Sequence, residues 1–204
     1  MFNEIELIIK EIEIKIKNFN NIAIFISGGF DSTILSYLIL DIVNKNNFKK
    51  NIEFYTVPRY DDSKNHAHRI VNWLLSKFET INSEIKIVGN PNLHHSKQVS
   101  SGIKECINDN KSKIIFLGDT RNPINLPNGP IRIKSNYENI FQPFFECDKR
   151  ITLKIAEHFG ILHEISKITH TCTESKSLRC NHCWQCLERK WAFDSLSLKD
   201  VGEM

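Results

Sequence analysis

Apolar residues recur near the start of the chain at Ile5, Ile9, Ile12, Ile16 and Phe19, the spacing of one helix face. Ile12, Ile14 and Ile16 also alternate as a strand would. Glu6/Lys10, Glu11/Lys15 and Glu13/Lys17, however, are i,i+4 pairs in the favourable order, and they predict a helix over 4–19. The run Ile-Ala-Ile-Phe-Ile at 22–26 then stops at Ser27-Gly28-Gly29, which reads as a buried strand entering a tight loop. A helix is predicted over 32–44, with Leu35, Leu38, Ile39 and Ile42 inward. Strands follow at 52–57, 85–88 and 114–117, with helices at 63–78 and 97–108 between them. Pro123, Pro127, Gly129, Pro130 and Pro143 make 120–146 a long irregular segment, suited to a substrate loop. A last helix is predicted over 148–159, with Gly160 as its stop signal.

Strands alternating with helices imply parallel β-α-β units, hence an α/β fold with a sheet covered on both faces. The 204 residues suit one domain with a small appendage, divided here as 1–165 and 166–204. Apolar residues make up 41%, enough for a real core, which excludes a disordered chain, a fibre and a disulfide miniprotein. The charge balance is 27 − 24 = +3, too weak to demand a nucleic-acid partner. The most apolar window, 34–43, is interrupted by Ser36 and Asp41 and falls short of the ~20 residues of a membrane span. Met1-Phe2-Asn3-Glu4 shows no basic start before an apolar stretch, so the expectation is a soluble cytoplasmic protein.

The strongest chemical signal is Ser27-Gly28-Gly29-Phe30-Asp31-Ser32-Thr33, between a buried strand and an amphipathic helix. First-turn amides of a helix lack intrahelical partners and carry the positive end of the dipole. Glycines let that backbone approach an anion closely, and Ser27, Ser32 and Thr33 add hydroxyls. Asp31 is expected to bind a Mg²⁺ that bridges to phosphate. The bland alternative is a Ser/Gly/Asp turn that only caps a helix. Neither G-x-x-x-x-G-K-[ST] nor G-x-G-x-x-G occurs. The loop resembles that of the PP-loop ATP pyrophosphatases. That resemblance implies a doubly wound, Rossmann-like parallel sheet and ATP cleavage between the α and β phosphates. AMP passes to a substrate oxygen, and a nucleophile then displaces it.

Six cysteines are present, and four of them, Cys172, Cys180, Cys183 and Cys186, crowd the C-terminal end. Four thiolates in C-x₇-C-x₂-C-x₂-C suit a tetrahedral Zn²⁺ that staples a short segment; an iron–sulfur cluster and disulfides are the alternatives. His182 is then a solvated loop residue, and His170 at best donates from behind the ligands. His66, His68, His94 and His95 read as exposed loop or helix residues.

The tail Thr169-His-Thr-Cys172 … Cys180-Asn-His-Cys183-Trp-Gln-Cys186-Leu-Glu-Arg189 resembles that of the 7-cyano-7-deazaguanine synthases, the queuosine-pathway (QueC-type) PP-loop group, with Asn181 in place of the usual glycine. Pro143 to Lys149 resembles that group's approach to its late helix. The likeness runs over 22–193. It implies ATP, Mg²⁺ and structural zinc, a homodimer, and adenylation of a small carboxylate, 7-carboxy-7-deazaguanine. Ammonia then gives the amide and, after a second adenylation, the nitrile. Ser27, Gly28, Gly29, Phe30, Asp31, Ser32 and Thr33 would hold phosphates and metal. Val57, Gly118, Asp119 and Thr120 would border the nucleotide, and Lys149 and Arg189 would meet the phosphates, with Asp31, Ser32 and Lys149 as the catalytic set. Lys149 in a helix first turn opposes the dipole unless an anion lies nearby. Arg121 and Arg132 read as surface residues. Residues 119–142 depart from the group's acidic, glycine- and tyrosine-bearing substrate stretch, so a different acid or amine is open. Two other readings are a tRNA sulfur transferase, with Cys106 or Cys147 carrying sulfur, and a non-catalytic nucleotide-binding module.

Overall fold

The computed structural model describes residues 2–79, 81, 83–109 and 112–202; Met1 lies outside them. Elements run α1 (Phe2–Asn18), β1 (Asn21–Phe25), α2 (Phe30–Lys45), β2 (Asn51–Thr56), α3 (Ser63–Lys77) and β3 (Ile85–Ile87). They continue as α4 (His95–Asp109), β4 (Lys113–Phe116), β5 (Ile140–Phe141), α5 (Arg150–His158), α6 (Leu162–Ile168) and α7 (Trp184–Ser195). The sheet order is β3-β2-β1-β4-β5, and every pairing is parallel.

The period of two along each strand divides the apolar residues between two layers. Ile22, Ile24, Ile52, Phe54, Ile114 and Phe116 face the larger core, shared with α1, α2, α3 and α5. Ala23, Tyr55, Val57, Ile115 and Leu117 face the smaller one, closed by Val88 and by Cys106, Ile103 and Ile107 of α4. Strands buried on both faces account for the unbroken apolar runs of the sequence. On the α4 side the buried Lys113 ammonium donates to Glu53 (2.8 Å), Asp109 (2.9 Å) and the Tyr55 hydroxyl (2.7 Å). This ties the start of β4 to β2 and α4.

β2 and β3 extend the sheet to one side of β1, and β4 and β5 to the other. The strand order therefore reverses between β1 and β4, and a crevice opens outside the carboxyl ends of those two strands. The loops carrying Ser27 and Gly118 both emerge there.

Three elements were not foreseen. β5 is two residues long and lies within the proline-rich segment, too short for an alternation signal. α6 follows directly after Gly160, whose φ of +68° ends α5 and turns the chain without stopping the helical run. α7 starts inside the cysteine cluster and carries Ala192 and Phe193 into the larger core, so the C-terminal segment shares the hydrophobic interior of residues 1–165. Among the described residues no helix is long and apolar enough to cross a membrane.

Candidate active site and metal centre

The crevice holds a cavity of about 550 Å³. One half is apolar, walled by Phe25, Val57, Val99, Ile103 and Leu117. The other half is polar, with Ser27, Asp31, Asp119, Arg132, Lys149 and Glu188.

Two glycines set its floor. Gly28 has φ +77°, and a Cβ there would lie 2.3 Å from His66 Cβ. Gly118 packs against the start of α2, so that a Cβ would meet Ser32 Cα and N at 2.9 Å. Both positions require a residue without a side chain. The loop hydroxyls are turned inward. Thr33 Oγ1 donates to the Gly29 carbonyl at 2.8 Å and Ser32 Oγ to the same carbonyl at 3.1 Å. Ser27 Oγ accepts from the Gly29 amide at 3.3 Å. No side chain caps the N-terminus of α2. Beyond the Gly29 amide, which donates to Ser27 Oγ, its first-turn amides bring partial positive charge to the cavity.

The charged groups form one network. Lys149 ends the approach to α5, as its N-cap residue, and is 3% exposed. Its ammonium is bonded to Asp31 Oδ2 and lies 3.4 Å from Glu188 Oε2. Thr152 Oγ1 donates to Asp31 Oδ1 at 2.8 Å. Arg132 donates to Glu188 Oε1 at 2.9 Å, to Thr120 Oγ1 at 2.7 Å and to the Thr120 carbonyl, and its guanidinium lies 5.2 Å from the Trp184 ring centre. Burial pushes the Glu188 carboxyl up; Lys149 and Arg132 oppose that rise and Asp31 adds to it. Asp119 lines the cavity from an exposed position. Desolvation in the cleft holds its carboxyl above the usual range, against the bond from Gln142 Nε2 (2.8 Å) and the charge of Arg132.

Of the residues singled out in the sequence, Ser27, Gly29, Phe30, Asp31, Ser32, Val57, Gly118, Asp119, Thr120 and Lys149 line the cavity. Gly28 and Thr33 lie one layer behind it: Thr33 is fully buried, and Gly28 is pressed on His66. Arg189 departs from its expected place. Its guanidinium is fully buried and forked onto Asp200 (2.8 and 2.9 Å), and it also donates to the Thr169 and Ser166 carbonyls and the Thr171 hydroxyl. Its donors are used up inside the protein, which leaves none for a phosphate. His66 is also not exposed: it is buried and stacked on His170, which itself lines the cavity. The His95 side chain lies outside what the structure describes. Arg132 belongs to the network and not to the free surface, unlike Arg121, which is exposed. Glu188 and Thr152 carried no sequence signal. Neither stands out from its helix neighbours in the sequence, and only the fold brings it to Lys149.

The four cysteine sulfurs of Cys172, Cys180, Cys183 and Cys186 all lie within 4.8 Å of one another, and no cysteine is in a disulfide. Cys183 Sγ and Cys172 Sγ are 4.0 Å apart. Tetrahedral bonds of about 2.3 Å to a single ion place thiolates roughly 3.8 Å apart, so the spacing fits one metal ion. A four-iron cluster gives each thiolate its own iron and spreads the sulfurs further. Asn181 adopts φ +59°, the left-handed turn that glycine or asparagine accepts most readily, which explains its tolerance between Cys180 and Cys183. His182 is exposed and lies 3.2 Å from Glu174, outside the sulfur set. The chelating segments also build the cavity wall: Thr171, Thr173, Gln185 and Glu188 all line it.

A family model described as "Queuosine biosynthesis protein QueC" matches residues 122–197. The match takes in Lys149, Glu188 and the four cysteines but not the loop at 27–33. No curated protein sequence matches. Among solved structures, NMN synthetase from Francisella tularensis is similar, with TM-score 0.56 and 8% identity over 97% of this chain and 86% of that one. The U34-tRNA thiolase NcsA from Methanococcus maripaludis, described with its 4Fe-4S cluster, gives 0.51 and 16% over 94% and 74%. NAD+ synthetase from Burkholderia pseudomallei gives 0.47 and 14% over 78% and 74%. At these identities the likeness is one of fold. The QueC match and that fold together bear out the resemblance to the PP-loop ATP pyrophosphatases.

Proposed function

We propose that this chain is an ATP-dependent ligase-type enzyme that adenylates a small carboxylate, with 7-carboxy-7-deazaguanine as the leading acid. The observation that carries it is the side-chain-free N-terminus of α2, facing the same cavity as the buried Lys149. An uncapped helix end and a buried cation converge where a leaving pyrophosphate would need them.

In this reading adenine lies against Val57, Val99 and Ile103, and the phosphates meet the Ser27–Thr33 turn. Lys149 turns from Asp31 onto phosphate oxygen. This frees Asp31 Oδ2, while Thr152 keeps Oδ1 in place. A Mg²⁺ on that oxygen would supply further charge neutralisation. A substrate carboxylate oxygen attacks the α-phosphorus and the α–β bridge breaks, so pyrophosphate departs. Ammonia or another amine then attacks the acyl carbon, and AMP leaves with the carboxylate oxygen. The chain's share in this is positioning and charge stabilisation more than proton transfer. We assign one zinc to the four cysteines as a structural ion, since four thiolates leave no open position.

Incubation with ATP, Mg²⁺ and 7-carboxy-7-deazaguanine, with and without ammonia, is read by mass spectrometry. AMP and pyrophosphate formed in an acid-dependent way are expected; ADP and phosphate overturn the reading. ATP binding without turnover on any acid would instead favour the non-catalytic module. The fold shared with a tRNA thiolase motivates the sulfur-transfer alternative. Against it, neither Cys106 nor Cys147 lines the cavity, and burial pushes both thiols up to about 11, away from the nucleophilic thiolate. Salt-sensitive micromolar tRNA binding, with iron in place of zinc, would reinstate it.

A further inference from the structure

We infer that Glu188 is a positioning residue: a buried counter-charge that fixes Lys149 and Arg132 in the cleft and keeps their grip on pyrophosphate weak enough for release. This rests on the nucleotide reading above, and it assigns a task to a residue that reading does not use.

Glu188 is 1% exposed, yet each of its carboxylate oxygens faces a different cation: Oε1 is 2.9 Å from Arg132 and Oε2 is 3.4 Å from Lys149. The two cations come from separate parts of the chain. Lys149 sits at the start of α5. Arg132 lies in an irregular segment whose neighbours Ile131 and Ile133 are 90% and 80% exposed. Apart from Glu188, Arg132 is bonded to Thr120, sits beside Trp184 and lies within the charge field of Asp119. Among the described residues, Glu188 is therefore the one carboxylate in contact with both.

Its own anchor is firm. On α7, Cys186 and Glu188 are two residues apart, about 200° around the helix. One face thus meets the sulfur cluster while the other reaches into the cavity. The metal centre in this way sets where the carboxylate stands.

Burying charges in this manner is seldom stabilising against an apolar substitute. The arrangement has a clear consequence for ligands, however. Asp31 and Glu188 already occupy Lys149 and Arg132, and the other cleft arginine, Arg59, is forked onto Asp61. An incoming polyphosphate must compete with Glu188 for both cations. Glu188 therefore lowers phosphate affinity while holding the groups that contact phosphate in register.

This gives an effect opposite in sign to that of a structural residue. Calorimetric titration with magnesium pyrophosphate is done on the metal-loaded parent and on Glu188→Gln, which keeps the shape and loses the charge. The variant is expected to bind about tenfold more tightly, as loss of one nearby like charge in a semi-buried site should give. Unchanged or weaker binding by a variant that keeps its zinc and its melting temperature overturns the inference. Should Glu188→Gln fail to fold, Glu188→Asp decides: drawing the carboxylate back from both cations should tighten binding about threefold, and no tightening overturns the inference. A parent that binds neither ATP nor pyrophosphate refutes the nucleotide reading itself, which separates that failure from this one.

Discussion

His66 and His170 lie face to face under the loop at 27–33, with ring centres 4.2 Å apart and planes 16° apart. Above the pair, His66 Cβ occupies the space a Gly28 side chain would need, and the His170 amide donates to the Gly28 carbonyl at 3.0 Å. α3 and the irregular segment leading into the cysteine cluster thus meet directly below the turn that faces the cavity. The shape of that turn depends on both.

Gly28→Ala tests this dependence. The new methyl meets His66 at a distance no packing accepts, and φ +77° is a conformation that alanine disfavours. Overpacking and left-handed strain together should destabilise the fold by about 2–4 kcal/mol. Thermal melts and ATP titration are the measurements. A variant with parent stability and parent affinity would show that the turn is not pinned as described.

The same histidine makes stability depend on pH. Arg69, a permanent donor, points at His66 Nδ1 (2.9 Å), and Nε2 faces the Lys176 carbonyl (2.9 Å), so the ring is neutral with its proton on Nε2. Burial holds the His66 pKa below its usual value, with His170 and Arg69 adding to the effect. The unfolded chain takes up this proton near pH 6.5, while the native chain does not until lower pH. The stabilisation is therefore complete above about pH 6.5 and is lost as pH falls below it toward the native pKa. Urea melts at pH 7.5 and 5.5 should show the loss, and His66→Asn should reduce it. An equal loss in parent and variant would place its origin elsewhere, for example in the cysteines.

Arg189 is predicted to matter for stability and not for nucleotide contact. Arg189→Met leaves Asp200 without its fork and removes donors from the Thr169 and Ser166 carbonyls. Asp200 keeps Arg179 at 2.6 Å, so the cost is that of half the ion pair and the unpaired carbonyls, about 2–3 kcal/mol. At a temperature where the variant is folded, its ATP affinity should stay within about threefold of the parent, since it loses no group on the ligand. Parent stability combined with lost ATP binding would reverse the assignment.

Strands β1 to β4, helices α1 to α5 and the loop at 27–33 were legible because each is a local pattern: an apolar run, a helical period, or glycines between a strand and a helix. Lys149 could be flagged because a cation at a helix start opposes the dipole, and the structure supplies the answering charges, Asp31 and Glu188. Arg132 and Glu188 were not legible. They are 56 residues apart, and nothing near either one indicates that they meet. Arg189 misled for the opposite reason. Its place in a tail pattern was readable, but its burial against Asp200 depends on how the last residues of the chain fold back. β5 and α6 were too short to emerge from a proline-rich segment and a glycine turn.

Metal removal should reach the cavity as well as the tail. Thr171 and Thr173 flank Cys172, and Gln185 and Glu188 flank Cys186, and all four line the cleft. Thr173 Oγ1 also donates to Gln185 Oε1 at 3.0 Å, joining the two chelating segments on the cleft side. Elemental analysis should find about one zinc per chain. In isolated zinc peptides, binding a structural zinc is worth about 10–16 kcal/mol. Here the Arg189–Asp200 fork and the burial of Phe193 hold α7 as well, so chelation or Cys172→Ser should lower the melting temperature without unfolding the sheet. ATP affinity should fall in the same preparations, because Thr171, Thr173 and Gln185 are no longer held in the cavity wall. Metal-free protein that keeps both its ATP affinity and the Glu188→Gln response would show the cysteine centre to be independent of the cleft. Two or more irons with visible absorbance would exchange the zinc assignment for a cluster and move the balance toward sulfur transfer.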